Sequence, residues 1–227
     1  MRAPGKLLAS GRDADIFECG PQLVLRRTRV GRSMAEEARA MTFAREQGYP
    51  VPAIDEVSDD GTELVMERVE GPLMVQVLER RPWTLARNAV LLANLHKRLH
   101  DIEAPEWLTP SEGAPGDRLL HLDLHPLNVI MTAEGPVVID WSNARRGHAL
   151  TDVALTWLLL ASGEIPGGGL RVRAIGRFRA LFVSRFVGQF DIDEVRRHLP
   201  GVTQWKLTDP HMSEREKQAM RRLAGDS

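Results

Sequence analysis

A single cysteine, Cys19, stands in 227 residues, so the chain can build neither an internal disulfide framework nor a cysteine-based zinc site. Such sparse cysteine fits a reducing compartment. An excess of one charge is also missing: 30 Lys+Arg against 31 Asp+Glu leave a formal net charge of -1. Bulk electrostatics therefore argue against a nucleic-acid or membrane-surface role. No apolar run approaches the ~20 residues that a bilayer span requires; the most apolar, Val153 to Ala161, is far shorter. Met1 to Gly11 carries two basic residues with no apolar segment behind them, unlike a secretory leader. The expectation is a cytoplasmic protein with no membrane and no nucleic-acid partner. A G-x-x-x-x-G-K-[ST] stretch is absent as well, which argues against a P-loop ATPase. No repeat of fixed period is visible.

What is present suits a globular chain: 43% hydrophobic and 27% charged residues, at a length that allows one large domain or two small lobes. Residues 14–30 and 51–69 read as strand-rich, with turns at Gly20-Pro21 and Asp59-Asp60-Gly61. Between them, Ser33 with Glu36 three positions on spells a capping box, and a helix is expected to run to about Gln47 before Gly48 stops it. Gly71-Pro72 is the best candidate boundary, giving an N-terminal lobe 1–69 and a helical lobe 70–227. Past it, Leu85, Ala89, Leu92, Leu95, Leu99 and Ile102 recur at helical steps. Val129-Ile130-Met131 and Val137-Val138-Ile139 flank Ala133-Glu134-Gly135, a hairpin signal. A buried helix (about 149–162), a break at Gly167-Gly168-Gly169, an Arg-rich amphipathic helix (about 171–190) and a charged helix capped by Ser213 and Glu216 complete the reading. His96, His148, His198 and His211 are read as surface or structural residues.

The chemistry concentrates in His121-Leu122-Asp123-Leu124-His125-Pro126-Leu127-Asn128 and, after the hairpin, Ile139-Asp140-Trp141. An antiparallel hairpin sets Asn128, at the start of its first strand, beside Asp140, at the end of its second. A carboxylate and an amide oxygen then converge, a hard donor set that suits Mg²⁺. Asp123 lies in the preceding loop, close enough to act on a substrate beside the metal. This run resembles the HGDLHPGN…IDW signature of the aminoglycoside phosphotransferase and choline kinase-like family, within the protein-kinase-like superfamily. The resemblance implies a two-lobed α+β fold with ATP in the cleft between the lobes. It implies a catalytic loop (123–128) in which Asp123 deprotonates an acceptor hydroxyl, and a metal-binding hairpin (128–140) in which Asn128 and Asp140 hold Mg²⁺. His121 and His125 would brace the loop. Gly147-His148-Ala149-Leu150-Thr151-Asp152 is similar to the family's G-x-P-x-x-D segment, which gives Asp152 a supporting role. Val65 to Gly71 looks like the interlobe hinge, with Glu67 and Val69 among the expected nucleotide contacts. The acceptor would be a small hydroxylated molecule, an aminoglycoside-like one included.

An independent argument concerns Glu37. It falls on the inward stripe of the first helix with Met34, Ala38, Met41 and Ala44, and a carboxylate there is costly unless paired. Arg26, on the strand Leu23-Val24-Leu25-Arg26, is the candidate partner, with Arg27 as the fallback. The pair stands where kinases place a strand Lys and a helix Glu that position the α- and β-phosphates, an Arg fork replacing the Lys. Gly11 and Arg12 occupy the place of the phosphate loop with only one glycine. Leu122 and Leu127 replace glycines of the family pattern. These departures keep open a catalytically weak, nucleotide-binding pseudokinase. A third reading is a metal-dependent hydrolase, in which an extended segment would project His121, Asp123 and His125 from one face.

Overall fold

The computed structural model describes residues 2–11, 13–163, 169–210 and 212–225. Two compact units emerge. The first comprises Met1–Met74 and Leu127–Ala144, the second Val75–Pro126 and Arg145–Ser227. The hairpin expected to belong with the helical lobe thus clusters with the N-terminal residues, and the first break falls after Met74 rather than Val69.

The first unit is built on a five-stranded antiparallel sheet. Its strands are β1 (Leu7–Ser10), β2 (Ala14–Gly20), β3 (Leu23–Thr28), β4 (Ile54–Val57) and β5 (Glu63–Glu67), in the order β1-β2-β3-β5-β4. β3 lies at the centre, pairing Arg26 with Ile16 on one side and Leu64 on the other. Helix α1 (Ala35–Glu46) crosses between β3 and β4 and turns Met34 and Ala38 onto Leu64, Ile54, Val57 and Met66. Its entry differs from the expected capping box. Met34 is the N-cap, with no side-chain cap bond, and Ser33 Oγ accepts from Ala35 N–H at 3.3 Å. The chain is instead fixed by a tertiary bond, Met34 N–H to Gly61 O at 2.8 Å.

The remainder of the first unit is the hairpin β7 (Val129–Met131) and β8 (Pro136–Val138). Backbone bonds tie it down: Val138 N–H donates to Pro50 O at 2.8 Å and Met131 N–H to Pro72 O at 2.8 Å. Gly71 makes the second tie possible. Its φ is +154°, and a Cβ there would lie 2.4 Å from Met131 O, so a side chain would push the hairpin away.

The second unit is mostly helical: α2 (Met74–Arg80), α3 (Leu85–His100), α4 (Ala149–Ser162), α5 (Gly169–Val187), α6 (Ile192–Leu207) and α7 (Glu214–Ala224), with a small ladder of β6 (Arg118–Leu120) and β9 (Arg145–Gly147). α4 is apolar almost all round, as a central helix must be; Val153, Ala154, Leu155 and Leu158 are fully buried. α3 presents Leu92, Leu95 and Leu99, α5 presents Phe182 and Phe186, and α6 presents Val195, Leu199 and Val202 to the same interior. Ile175, on the same helix α5, is exposed. α7 carries the capping box foreseen for Ser213 and Glu216. No described helix is long and apolar enough to cross a membrane.

Candidate active site

The first unit assembles a charged network around Arg26. Its Nη1 donates to Glu37 Oε1 at 2.5 Å and its Nη2 reaches Asp140 Oδ1 at 3.5 Å. Arg26 and Glu37 are largely shielded from solvent, with side chains 15% and 6% exposed, whereas that of Asp140 is 43% exposed. Burial alone would lower the Arg26 pKa, but the facing Glu37 and Asp140 carboxylates outweigh it and hold the guanidinium charged. For Glu37 burial wins: with the Asp140 charge it pushes the carboxyl above its ordinary range against the pull of Arg26. The fallback Arg27 is committed elsewhere, to Glu63 at 2.6 Å.

Asp140 stands just past β8 with φ +64°, a left-handed conformation that aspartate tolerates better than most residues. Ser142 Oγ donates to it at 3.1 Å. Trp141, fully buried, donates from Nε1 to Val138 O at 3.1 Å and meets Tyr49 edge-on at 5.6 Å. Ile139 N–H donates to Asn128 O at 3.0 Å, which sets the two ends of the hairpin side by side as the spacing demands.

The second unit pins the loop that follows β6. Asp152, in the first turn of α4, accepts His121 N–H on one carboxylate oxygen and Leu122 N–H on the other, each at 2.9 Å. Leu124 O accepts Thr156 Oγ1 at 2.9 Å and lies 3.2 Å from His96 Nε2. Positions 121, 122 and 124 are therefore fixed by tertiary bonds. The partly exposed Asp123 carboxylate meets His125 Nε2 at 3.3 Å. Burial raises the Asp123 pKa, but the His125 hydrogen bond and charge, with those of His121 and Lys206 behind, outweigh it and leave the group below the ordinary carboxylate range. The carboxylate is therefore ionised at neutral pH. Leu122 carries φ +56°, an outlier for a bulky side chain. That side chain is buried and lines a cavity of about 90 Å³ with Thr151, Leu155, His198 and Trp205.

The extended segment that a hydrolase site would need is not formed. β6 ends at Leu120, and the left-handed Leu122 breaks the alternation that would align His121, Asp123 and His125. Gly11 is exposed and closes a turn by donating to Ala14 O at 2.9 Å; Arg12 lies outside the described residues. The Glu67 carboxylate is turned toward its own unit, accepting Ala53 N–H at 3.0 Å and Arg45 Nη1 at 3.4 Å. Val69 is half-buried beyond the end of β5. Sequence reasoning missed Thr156 and the inward direction of His96; the second was available, since His96 follows the core residue Leu92 by four.

Two comparisons find similar proteins, and a third finds nothing: no curated protein sequence matches the chain. A choline/ethanolamine kinase family protein from Mesorhizobium loti superposes with a TM-score of 0.56 at 16% identity, over 98% of this chain and 85% of that one. ADP-bound aminoglycoside phosphotransferase APH(2'')-Ib gives 0.63 at 18% identity, over 98% and 92%. A thermostable mutant of aminoglycoside phosphotransferase APH(4)-Ia in complex with AMP-PNP and hygromycin B gives 0.64 at 15%, over 97% and 92%. At such identities these neighbours establish the two-lobed kinase-like α+β fold. The family model described as "Phosphotransferase enzyme family" matches residues 76–198, more than half of the sequence, and the chain belongs to that family.

Proposed function

We propose that the chain transfers the γ-phosphoryl group of ATP to a hydroxyl of a small molecule. The observation that carries this reading is the Arg26 fork, buried with Glu37 and extended toward Asp140. A guanidinium held charged in a partly desolvated site is suited to phosphate oxygens. The nucleotides named with two of the structural neighbours, ADP and AMP-PNP, favour the same ligand class here.

The donor set fits magnesium. Asp140 offers a carboxylate that is partly open to solvent, Asn128 stands beside Ile139 in the same hairpin, and Mg²⁺ prefers one or two such oxygens with substrate phosphates completing its shell. Bound there, Mg²⁺ would neutralise charge on the phosphates. Every other role falls to the chain. Arg26, oriented by Glu37, would hold the α- and β-phosphates. Asp123, five positions before Asn128, would accept the acceptor's hydroxyl proton on a carboxylate that is already ionised. His125 would hold that carboxylate's orientation, and Asp152 would fix the loop through His121 and Leu122. Gly11, Arg12, Glu67 and Val69 are the further nucleotide contacts we propose. The acceptor class extends to aminoglycosides, as the names of several neighbours suggest.

ADP release from Mg·ATP, measured against a panel of hydroxylated metabolites, amino alcohols and aminoglycosides, tests the proposal. Acceptor-dependent ADP release that disappears in Asp123→Asn supports it. Nucleotide binding with no release on any acceptor would leave a nucleotide-binding pseudokinase instead.

A further inference from the structure

α3 carries His96 and His100 four positions apart, so both rings project from one face of the helix. α4 sets Asp152 against them. One nitrogen of each ring and one carboxylate oxygen of Asp152 lie within 4.8 Å of one another. His100 Nε2 is 3.3 Å from Asp152 Oδ2, and His96 Nδ1 is 3.9 Å from the same oxygen.

The tautomer of His96 gives this cluster its meaning. Its Nε2 faces the Leu124 carbonyl oxygen, which can only accept. Thr156 Oγ1 gives its own hydrogen to that carbonyl, so Nε2 carries the ring proton. Nδ1 is then a bare lone pair, in a side chain with no solvent exposure and with no hydrogen-bond partner among the described residues. It points toward a carboxylate oxygen. Two electron-rich atoms held together without solvent repel each other unless a cation joins them.

We propose that His96 Nδ1, His100 Nε2 and Asp152 Oδ2 bind a divalent transition metal, best matched by zinc. Two imidazoles and one carboxylate form a zinc donor set, with a solvent molecule as the fourth ligand. Metal–ligand bonds of about 2.0–2.2 Å put neighbouring ligands of a tetrahedral centre roughly 3.3–3.5 Å apart, and the pairs at 3.3 and 3.9 Å lie close to that spacing, with all three atoms within 4.8 Å. The second ligand layer is in place. The Leu124 carbonyl orients His96, the His121 and Leu122 N–H groups orient Asp152, and Phe186 covers the His96 ring at a centroid distance of 5.3 Å. The ion would tie α3, α4 and the loop bearing Asp123 to one point. It is separate from the magnesium proposed for Asn128 and Asp140, whose hard oxygen donors select a different metal.

The test uses the full chain stripped with EDTA and titrated with ZnCl₂ and, separately, CoCl₂. The expected result is uptake near one zinc per chain, a visible cobalt spectrum of tetrahedral type, and a Tm that rises with free zinc. Loss of a ligand in His96→Leu or His100→Gln should weaken uptake at least ~100-fold, beyond the 10–100-fold typical of orienting partners. Cys19→Ser and His198→Gln remove other candidate donors and should retain the wild-type affinity. Either of two results overturns the proposal: a wild-type chain that takes up no zinc and leaves its Tm unmoved, or undiminished uptake in either ligand variant once folded. The readouts require no nucleotide turnover, so they stand or fall apart from the phosphotransfer assay.

Discussion

Glu37 in the first unit and Asp152 in the second are both buried carboxylates, and they are held in opposite ways. Glu37 faces the long side chain of Arg26 and takes a single backbone N–H, that of Trp141, and burial leaves its proton affinity raised. Asp152 accepts two backbone N–H groups from adjacent residues, and against burial the His100 hydrogen bond leads the contacts that push its pKa far down. Backbone donors cannot swing away, so Asp152 is a fixed post for a loop. A guanidinium on a flexible stem can follow a ligand, so Glu37 orients a group that stays adjustable. The contrast separates a carboxylate that fixes a loop from one that faces an adjustable cation.

The strongest challenge to this contrast comes from the carboxylate in neither class. Asp123→Asn should cut kcat by roughly 10²–10⁴-fold, the usual worth of a general base, while nucleotide affinity and the urea midpoint stay at wild-type values. Asp152→Ala should remove about 3–5 kcal/mol of stability, as expected when buried polar groups lose a charged partner; urea unfolding measures this, and a loss below about 1 kcal/mol would show that Asp152 is no post. Leu122→Gly probes the loop that Asp152 holds. Relief of roughly 1–2 kcal/mol of left-handed strain offsets part of the 2–5 kcal/mol that a buried leucine truncation costs, so the net loss should be smaller than for Leu124→Ala in the same denaturation experiment. Glu37→Gln should do the reverse of Asp152→Ala: a KM for ATP raised on the order of tenfold, about 1.4 kcal/mol, with the unfolding midpoint little moved.

The smallest expected effect is a pH dependence in the second unit. The rings of His148 and His198 stack at 4.5 Å, and burial, followed by the charges of His148 and Arg197, lowers the pKa of His198. The unfolded chain takes up that proton near pH 6.5 and the folded chain resists it. The contribution is therefore complete above that value and declines as pH falls below it. The Tm difference between pH 7.5 and 5 should shrink in His198→Gln; an unchanged difference would assign the acid sensitivity elsewhere.

The sequence spoke clearly wherever a single face or a covalent spacing decides the structure. Glu37 among Met34, Ala38 and Met41 could point only inward, and the Asn128–Asp140 spacing required a hairpin. It was silent where tertiary contacts override local signals. Ser33 and Glu36 spell a capping box, yet the Met34–Gly61 bond starts the helix one residue later. β1 carries no burial pattern, its residues Leu7–Ser10 being exposed throughout, so only pairing to β2 makes it a strand. α6 hides behind Pro200, which sits inside the helix and reads as a breaker. The left-handed Leu122 was hinted at only by the glycine that the family pattern carries there; the bonds from His121 and Leu122 N–H to Asp152 hold the loop at that point.

The division of the units along the chain has a consequence for biosynthesis. The polypeptide leaves the first unit at Met74, returns at Leu127 and leaves again at Ala144. A nascent chain emerging from the ribosome therefore presents the five-stranded sheet long before Val138 can bond Pro50 or Trp141 can cover Tyr49. All of Val75–Pro126 must be translated in between. Met1–Met74 by itself lacks the hairpin that bonds Pro50 and Pro72, and the last segment to complete the first unit is the one that brings Asn128 and Asp140.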